Sequence, residues 1–231
     1  MNDDTPAEER LAAILRAADP LPPEAELRGE LRQALGRTRA AVRRVASAAR
    51  SGPAAVYGTV EAPWGEVHVA VTERGLVAIE LRTSGEAFAE QLAERLGGAA
   101  VPDQPGLSAP VRAMLRRAQA ELREYLAGAR TAFDLPLDLR DVSTFDRAVL
   151  EGARRLGFGQ MSSYGRLAAR IGRPRAARAV GGALGRNPIP IVIPCHRILA
   201  ADGSLGGYGG GLDLKRALLR LEGVPLPYAF G

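Results

Sequence analysis

Ser162–Leu184 reads SSYGRLAARIGRPRAARAVGGAL, and its punctuation decides the fold of the C-terminal part of the chain. A helix begins near Ser162 and ends at Gly172. Pro174, whose fixed φ suits a first helical turn, opens another that runs to about Leu184. Helix, short glycine turn, helix is the helix-turn-helix pattern. Upstream, Thr144 is placed to cap a helix reaching about Leu156, with Phe145, Val149 and Leu150 turned inward. Downstream, Leu212–Leu221 forms a final helix after the glycine run Gly206–Gly211. Residues 143–231 therefore read as a largely helical domain.

Before this region the hydrophobic period is that of strands. Val56–Glu61, Glu66–Thr72 and Leu76–Leu81 are β-rich, with turns at Pro63-Trp64-Gly65 and Glu73-Arg74-Gly75. Helices follow near Gly85–Leu96 and Ser108–Ala127, and a further strand is expected at Thr131–Leu137. Residues 54–141 thus form a small α+β domain with a sheet and helices, in which His68 has a structural place on a strand. Residues 1–52 are an additional helical extension. Leu11, Ile14, Leu15 and Ala18 mark a short helix ended by Asp19-Pro20. Leu27, Leu31, Ala34, Leu35, Val42 and Val45 mark a longer one, before the linker Ser51-Gly52-Pro53. The fold class is α+β, and the role of the extension stays open.

The 231 residues carry a net charge of +5, and Lys215 is the only lysine among 31 basic side chains. Arginine suits phosphate and base contacts through its planar donor fork, yet a GC-rich genome produces the same bias. No apolar run approaches the roughly 20 residues that cross a bilayer. Met1–Arg10 is too acidic and polar for a secretory leader, so no membrane contact and a cytoplasmic location are expected. One cysteine, Cys195, and two histidines exclude an intramolecular disulfide and a cysteine-rich zinc site. No metal and no cofactor are expected.

The chemistry gathers in Asn187–Arg197, NPIPIVIPCHR. Three prolines stiffen an apolar approach to the only thiol. A free thiol with pKa about 8.5 is mostly protonated at neutral pH and needs a base or a positive neighbour. His196 and Arg197 supply both types. Adjacent side chains of an extended segment diverge, a gap that a bridging water closes.

This stretch resembles the active site of the O6-alkylguanine-DNA alkyltransferases, whose signature is Pro-Cys-His-Arg after an apolar, proline-rich lead-in. The resemblance runs from about Phe145 to Gly223 and more loosely back to about Ala54. It also includes Ser163-Tyr164, Ala177–Gly182, Asn187-Pro188, Tyr208, Gly210-Gly211-Leu212 and Leu221-Glu222-Gly223. It implies repair of duplex DNA containing O6-alkylguanine by direct, irreversible transfer of the alkyl group to Cys195, one reaction per molecule. By the same resemblance His196 is the base acting through a water, Glu222 fixes its tautomer, Asn187 ties the active-site turn, and Tyr164 donates to the leaving guanine.

The resemblance further implies that the lesion is flipped out of the stack through the minor groove. Arg178 would fill the gap, with the small residues Ala177, Ala179 and Gly181 allowing the helix close to DNA. Arg173, Arg175 and Arg186 are candidate phosphate contacts. Backbone groups at Cys195 and Ile198, the Gly209 amide, Tyr208 and Gly210 would surround the base. Some relatives carry a serine at the Gly209 position, so the hydroxyl contact is missing here. Two rival readings remain: a non-catalytic lesion-binding or regulatory helix-turn-helix protein, and a cysteine hydrolase built on Cys195, His196 and Glu222. No obligate protein partner is implied, and the range of accepted adducts depends on packing around Tyr208–Gly211.

Overall fold

The computed structural model describes residues 28, 29, 32, 35, 36 and 52–226. The chain divides into two compact units, Met1–Arg43 and Arg44–Gly231. In the first, Arg28, Gly29, Arg32, Leu35 and Gly36 are helical and exposed, within the longer of the two expected helices. The shorter helix around Leu11–Ala18 lies outside the described residues. The regions separated above as 54–141 and 143–231 both fall in the second unit. They share one hydrophobic core that runs from Val56 and Leu115 to Ile193 and Leu218.

Among the described residues that unit opens with a meander of β1 (Ala55–Ala62), β2 (Gly65–Thr72) and β3 (Gly75–Glu80), all antiparallel, with Val56 opposite Val71 and Thr59 opposite His68. Side-chain alternation sends Val56, Val60, Val67, Val69 and Val71 to the main core. Ala55 and Ala70 point to the other face, where Phe88 and Leu92 of α1 (Gly85–Leu96) cover them. His68 stacks on Phe88 there, ring centroids 5.6 Å apart, in the structural place expected for it. α2 (Ala109–Leu126) packs on the main-core face through Val111, Leu115, Ala118, Leu122 and Tyr125. Fully burying each valine or leucine among them stabilises by ~1.5–3 kcal/mol. A short β4 (Ala100–Pro102) adds in parallel to β1, giving the order β3-β2-β1-β4.

The strand expected at Thr131–Leu137 does not form. Leu137 makes a single bridge to Leu76. The Asp134 amide is taken by the Glu121 carboxylate at 2.9 Å, and Pro136 has no N–H to give a ladder.

The helical part comprises α3 (Thr144–Arg154), α4 (Tyr164–Arg170), α5 (Ala177–Gly185) and α6 (Leu212–Leu221). Ser143, rather than Thr144, caps α3 by accepting the Asp146 amide at 3.1 Å. Ser162-Ser163 is not helical but forms β5, which pairs in parallel with β6 (Ile198–Leu199); Ser163 then caps α4. Pro174 does not open α5. It sits inside a turn closed by the Ala176 amide on the Arg173 carbonyl at 2.9 Å, where proline presets φ. α5 starts later, at Ala177, and Arg186 at its end binds Asp146 of α3 through two bonds of 2.9 and 2.8 Å.

The free edge of β3 joins the two parts. Its Ile79 amide crosses to the helical part and donates to Pro188 O at 2.9 Å, while its Leu76 amide donates within the first part to Pro136 O at 2.8 Å. An open strand edge is a row of unpaired polar groups. Here it is used to hold the approach to Cys195.

Candidate active site

The Asn187–Cys195 loop is a compact fold-back. The Ile193 amide donates to Ile189 O at 2.9 Å, and Ile191 lies at φ 74°, the one non-glycine residue with left-handed backbone among those described. For a β-branched residue that costs ~1–3 kcal/mol, so the surroundings must hold it. Asn187 does so from inside. Its Oδ1 accepts from the Ile189 amide at 3.0 Å, and its Nδ2 donates to Ile193 O at 2.8 Å and to the Cys195 sulfur at 3.1 Å. Cys195 then begins a 3-10 turn, Cys195–Arg197, that feeds β6. Because β6 pairs with β5, Tyr164 at the start of α4 is brought beside that turn.

His196 is fully buried, and its Nε2 lies 2.8 Å from Glu222 Oε1. Its Nδ1 has no hydrogen-bond partner among the described residues. A carboxylate on Nε2 fixes the proton there and leaves the lone pair on Nδ1. Burial lowers the imidazole pKa against the pull of Glu222, so the ring is neutral at pH 7. Glu222 itself is a hub. Arg197 reaches it from Nε at 2.9 Å and Nη2 at 2.8 Å, the Gly159 amide at 3.0 Å and the Tyr125 phenol at 2.6 Å. Burial alone would raise its carboxyl, but the bonds from His196, Arg197 and Tyr125 hold it well below the usual carboxylate range. A single buried arginine–carboxylate pair is a doubtful gain, whereas one satisfied on both oxygens is coherent.

The Cys195 thiol is buried, and that burial pushes its pKa up against the Asn187 bond and the nearby Lys215 charge. The resting group is therefore a thiol that needs a base. Lys215 is fully buried, with Nζ donating to Ile198 O at 2.7 Å and to Leu205 O. Burial lowers it to about 8. It braces the strand after the active turn and the loop beyond.

A cavity of about 390 Å³ opens on Cys195, walled by Tyr164, Gly181, Leu184, Gly185 and Gly207–Gly209. Gly206 at φ 60° lies so close to Tyr164 that a Cβ would sit 2.8 Å from the phenol oxygen. Burial raises the Tyr164 pKa, which keeps it a proton donor at neutral pH. Gly181 and Gly185 lie three and seven residues after Arg178, so the exposed Arg178 shares the helix face that lines this cavity, one turn earlier on the helix.

Cys195, Tyr164, Tyr208 and Gly209 thus line one cavity, Asn187 and Gly210 line a second that also reaches Cys195, and the His196–Glu222 pair is buried behind the Cys195 turn and lines neither. Ala177 and Ala179 flank Arg178 at the start of α5, and Arg173 and Arg175 lie exposed in the turn before it. Two more of the expected residues have other partners. Ile198 lines neither cavity and its carbonyl serves Lys215; the fork of Arg186 is occupied by Asp146. The sequence reading missed Tyr125, Gly159 and the buried position of Lys215. Only Lys215 carried a signal, as the sole lysine of an arginine-rich chain.

Residues 55–139 match the family model described as 6-O-methylguanine DNA methyltransferase, ribonuclease-like domain. Residues 144–224 match that described as 6-O-methylguanine DNA methyltransferase, DNA binding domain. The chain is 54% identical over 102 residues to a methylated-DNA--protein-cysteine methyltransferase of Mycolicibacterium paratuberculosis, covering 44% of this chain and 61% of that protein. It is 41% identical over 166 residues to the protein of that name from Mycobacterium tuberculosis H37Rv, covering 72% and 91%. The crystal structure of M. tuberculosis OGT in complex with DNA superposes with a TM-score of 0.60 at 36% identity, over 74% of this chain and 96% of that one.

Proposed function

The chain belongs to the 6-O-methylguanine DNA methyltransferase family, and we propose that it repairs DNA by moving the methyl group of O6-methylguanine onto Cys195. The observation that carries the assignment of the acceptor is the Asn187–Cys195 bond, with His196 next in the chain, its pKa lowered by burial and its Nδ1 without a partner among the described residues.

The thiol proton passes through a water to His196 Nδ1. Glu222 accepts from Nε2–H and stabilises the imidazolium that forms. The thiolate sulfur attacks the methyl carbon in line, the carbon–O6 bond breaks, and a C–S thioether forms. The electron pair leaves with guanine, to which Tyr164 donates a proton. The lesion reaches the buried sulfur by flipping out of the duplex, at a cost of a few kcal/mol. Arg178 at the mouth of the α5 face takes its place in the stack, and exposed Arg173 and Arg175 hold phosphates. No group at the site reverses a thioether, so each molecule reacts once.

The test is intact-protein mass after mixing with a duplex carrying one O6-methylguanine. The expected result is one added methylene on Cys195, absent in Cys195→Ser. Lesion binding without any mass gain makes the protein a sensor instead, and repeated turnover without a stable adduct makes it a hydrolase.

A further inference from the structure

A second cavity of about 160 Å³ also reaches Cys195. One wall is Ile79–Leu81 at the end of β3, the other is Tyr208–Gly210, and Asn187 and Pro190 lie between them. In-line displacement places the sulfur and O6 on opposite sides of the transferred carbon. Anything else attached to that carbon must leave sideways, beside the thiol. The gap between β3 and the Tyr208–Gly210 loop therefore decides how large a substituent fits.

One side chain spans that gap from the sheet. Arg82, just past β3, donates from Nε to Gly210 O at 2.8 Å and from Nη2 to Asp213. The strand end that carries it is itself fixed, since Glu80 Oε1 accepts the amides of Leu81 at 2.8 Å and Arg82 at 3.0 Å. The loop is drawn in as far as glycine allows. A Cβ on Gly210 would lie 2.8 Å from Leu214 Cδ2 and 3.3 Å from Leu81 Cδ1. One on Gly211, at φ 88°, would lie 2.6 Å from Asp213 Oδ1 and 3.3 Å from Arg82 Nη2. The fastening faces water, with 47% of the Arg82 side chain and 71% of that of Asp213 exposed. An exposed ion pair is weak, so this one biases the loop closed without being needed for the fold.

Building on the alkyl transfer proposed above, we propose that Arg82 is a specificity-determining residue: it latches the Tyr208–Gly211 loop against β3 and so disfavours bulky O6 substituents relative to methyl. The N-terminal domain then takes part in substrate choice through a residue more than a hundred positions from the acceptor.

The experiment measures single-turnover rates with duplexes carrying O6-methylguanine or O6-benzylguanine, for the wild type, Arg82→Ala, Arg82→Lys and Asp213→Asn. The benzyl-to-methyl rate ratio should rise about fivefold in Arg82→Ala, the size of one weak ion pair. Asp213→Asn breaks the same latch from a separate, exposed position and should raise it in the same direction; Arg82→Lys should fall between. An unchanged ratio in folded variants that still take methyl overturns the latch alone. A wild type that takes no methyl overturns the underlying reaction instead.

Discussion

Tyr125→Phe removes one oxygen from the centre of the site and leaves the ring that packs α2 in place. The lost bond is the 2.6 Å donation to Glu222 Oε1, from a phenol whose burial and carboxylate neighbour keep it protonated at any ordinary pH. His196, Arg197 and Gly159 still serve the carboxylate, so no bare charge is created. The expected cost is that of one buried bond to a charged acceptor, about 2 kcal/mol of unfolding free energy. It is read from urea denaturation as a lower midpoint at unchanged slope. The chemical effect runs through His196. With one donor fewer, Glu222 stabilises the imidazolium more strongly, and the pKa of His196 rises from its depressed value. Since His196 must be neutral to take the thiol proton, the acid limb of the single-turnover rate should move up by ~0.5–1 pH unit, slowing the variant ~3–10-fold on that limb. A loss of stability with an unmoved limb would show that the phenol only pins α2 to the end of α6. No loss of stability would refute the bond itself.

Asn187→Ala should slow methyl transfer at least ~10-fold and lower stability by ~1–3 kcal/mol, because two loop bonds and the sulfur bond vanish together; an unchanged rate would mean the loop holds itself. Arg178→Ala should react with free O6-alkylguanine base as the wild type does while losing most repair of duplex DNA, and equal loss on both would contradict its place in base flipping. The His196 pKa in the fold lies below 6.5, so the unfolded chain binds that proton first. Stability should therefore decline as pH falls below about 6.5, and a flat urea series between pH 6.5 and 5 would argue against a neutral buried ring. Asp138, which the Arg140 bond holds at about 2 against 3.8, should contribute up to ~2 kcal/mol above pH 4, lost as pH falls through about 2. The stability gap between wild type and Asp138→Asn should close over that range. Deleting residues 1–52 should leave methyl transfer intact, since every residue placed at the site follows that segment.

Local chemistry made much of the fold legible. β1–β3 are β-rich runs between turn residues, and α1 and α6 are bounded where glycines and apolar periods place them. The failures share one cause, which is that distant groups decided the outcome. Thr131–Leu137 has strand residues, but Glu121 takes one of its amides and Pro136 lacks another. Ser162-Ser163 looks like a helix start until β6 arrives to pair with it. Pro174 suits a first turn of helix and a type I turn equally well, and packing chose the turn. The same holds at the site. Cys195 and His196 are adjacent in sequence and were visible, whereas Tyr125 is one aromatic on an amphipathic helix until Glu222, 97 residues later, accepts its hydrogen bond.

The Glu222 hub also orders events in time. Synthesis runs from the N-terminus, so Tyr125, Gly159, Cys195, His196 and Arg197 all leave the ribosome before the carboxylate that joins them. Until the end of α6 is made and docked, nothing holds the imidazole proton on Nε2, and the thiol has no oriented base. Until then Cys195 is an ordinary thiol, and the paired base that the buried site needs arrives only with the completed fold.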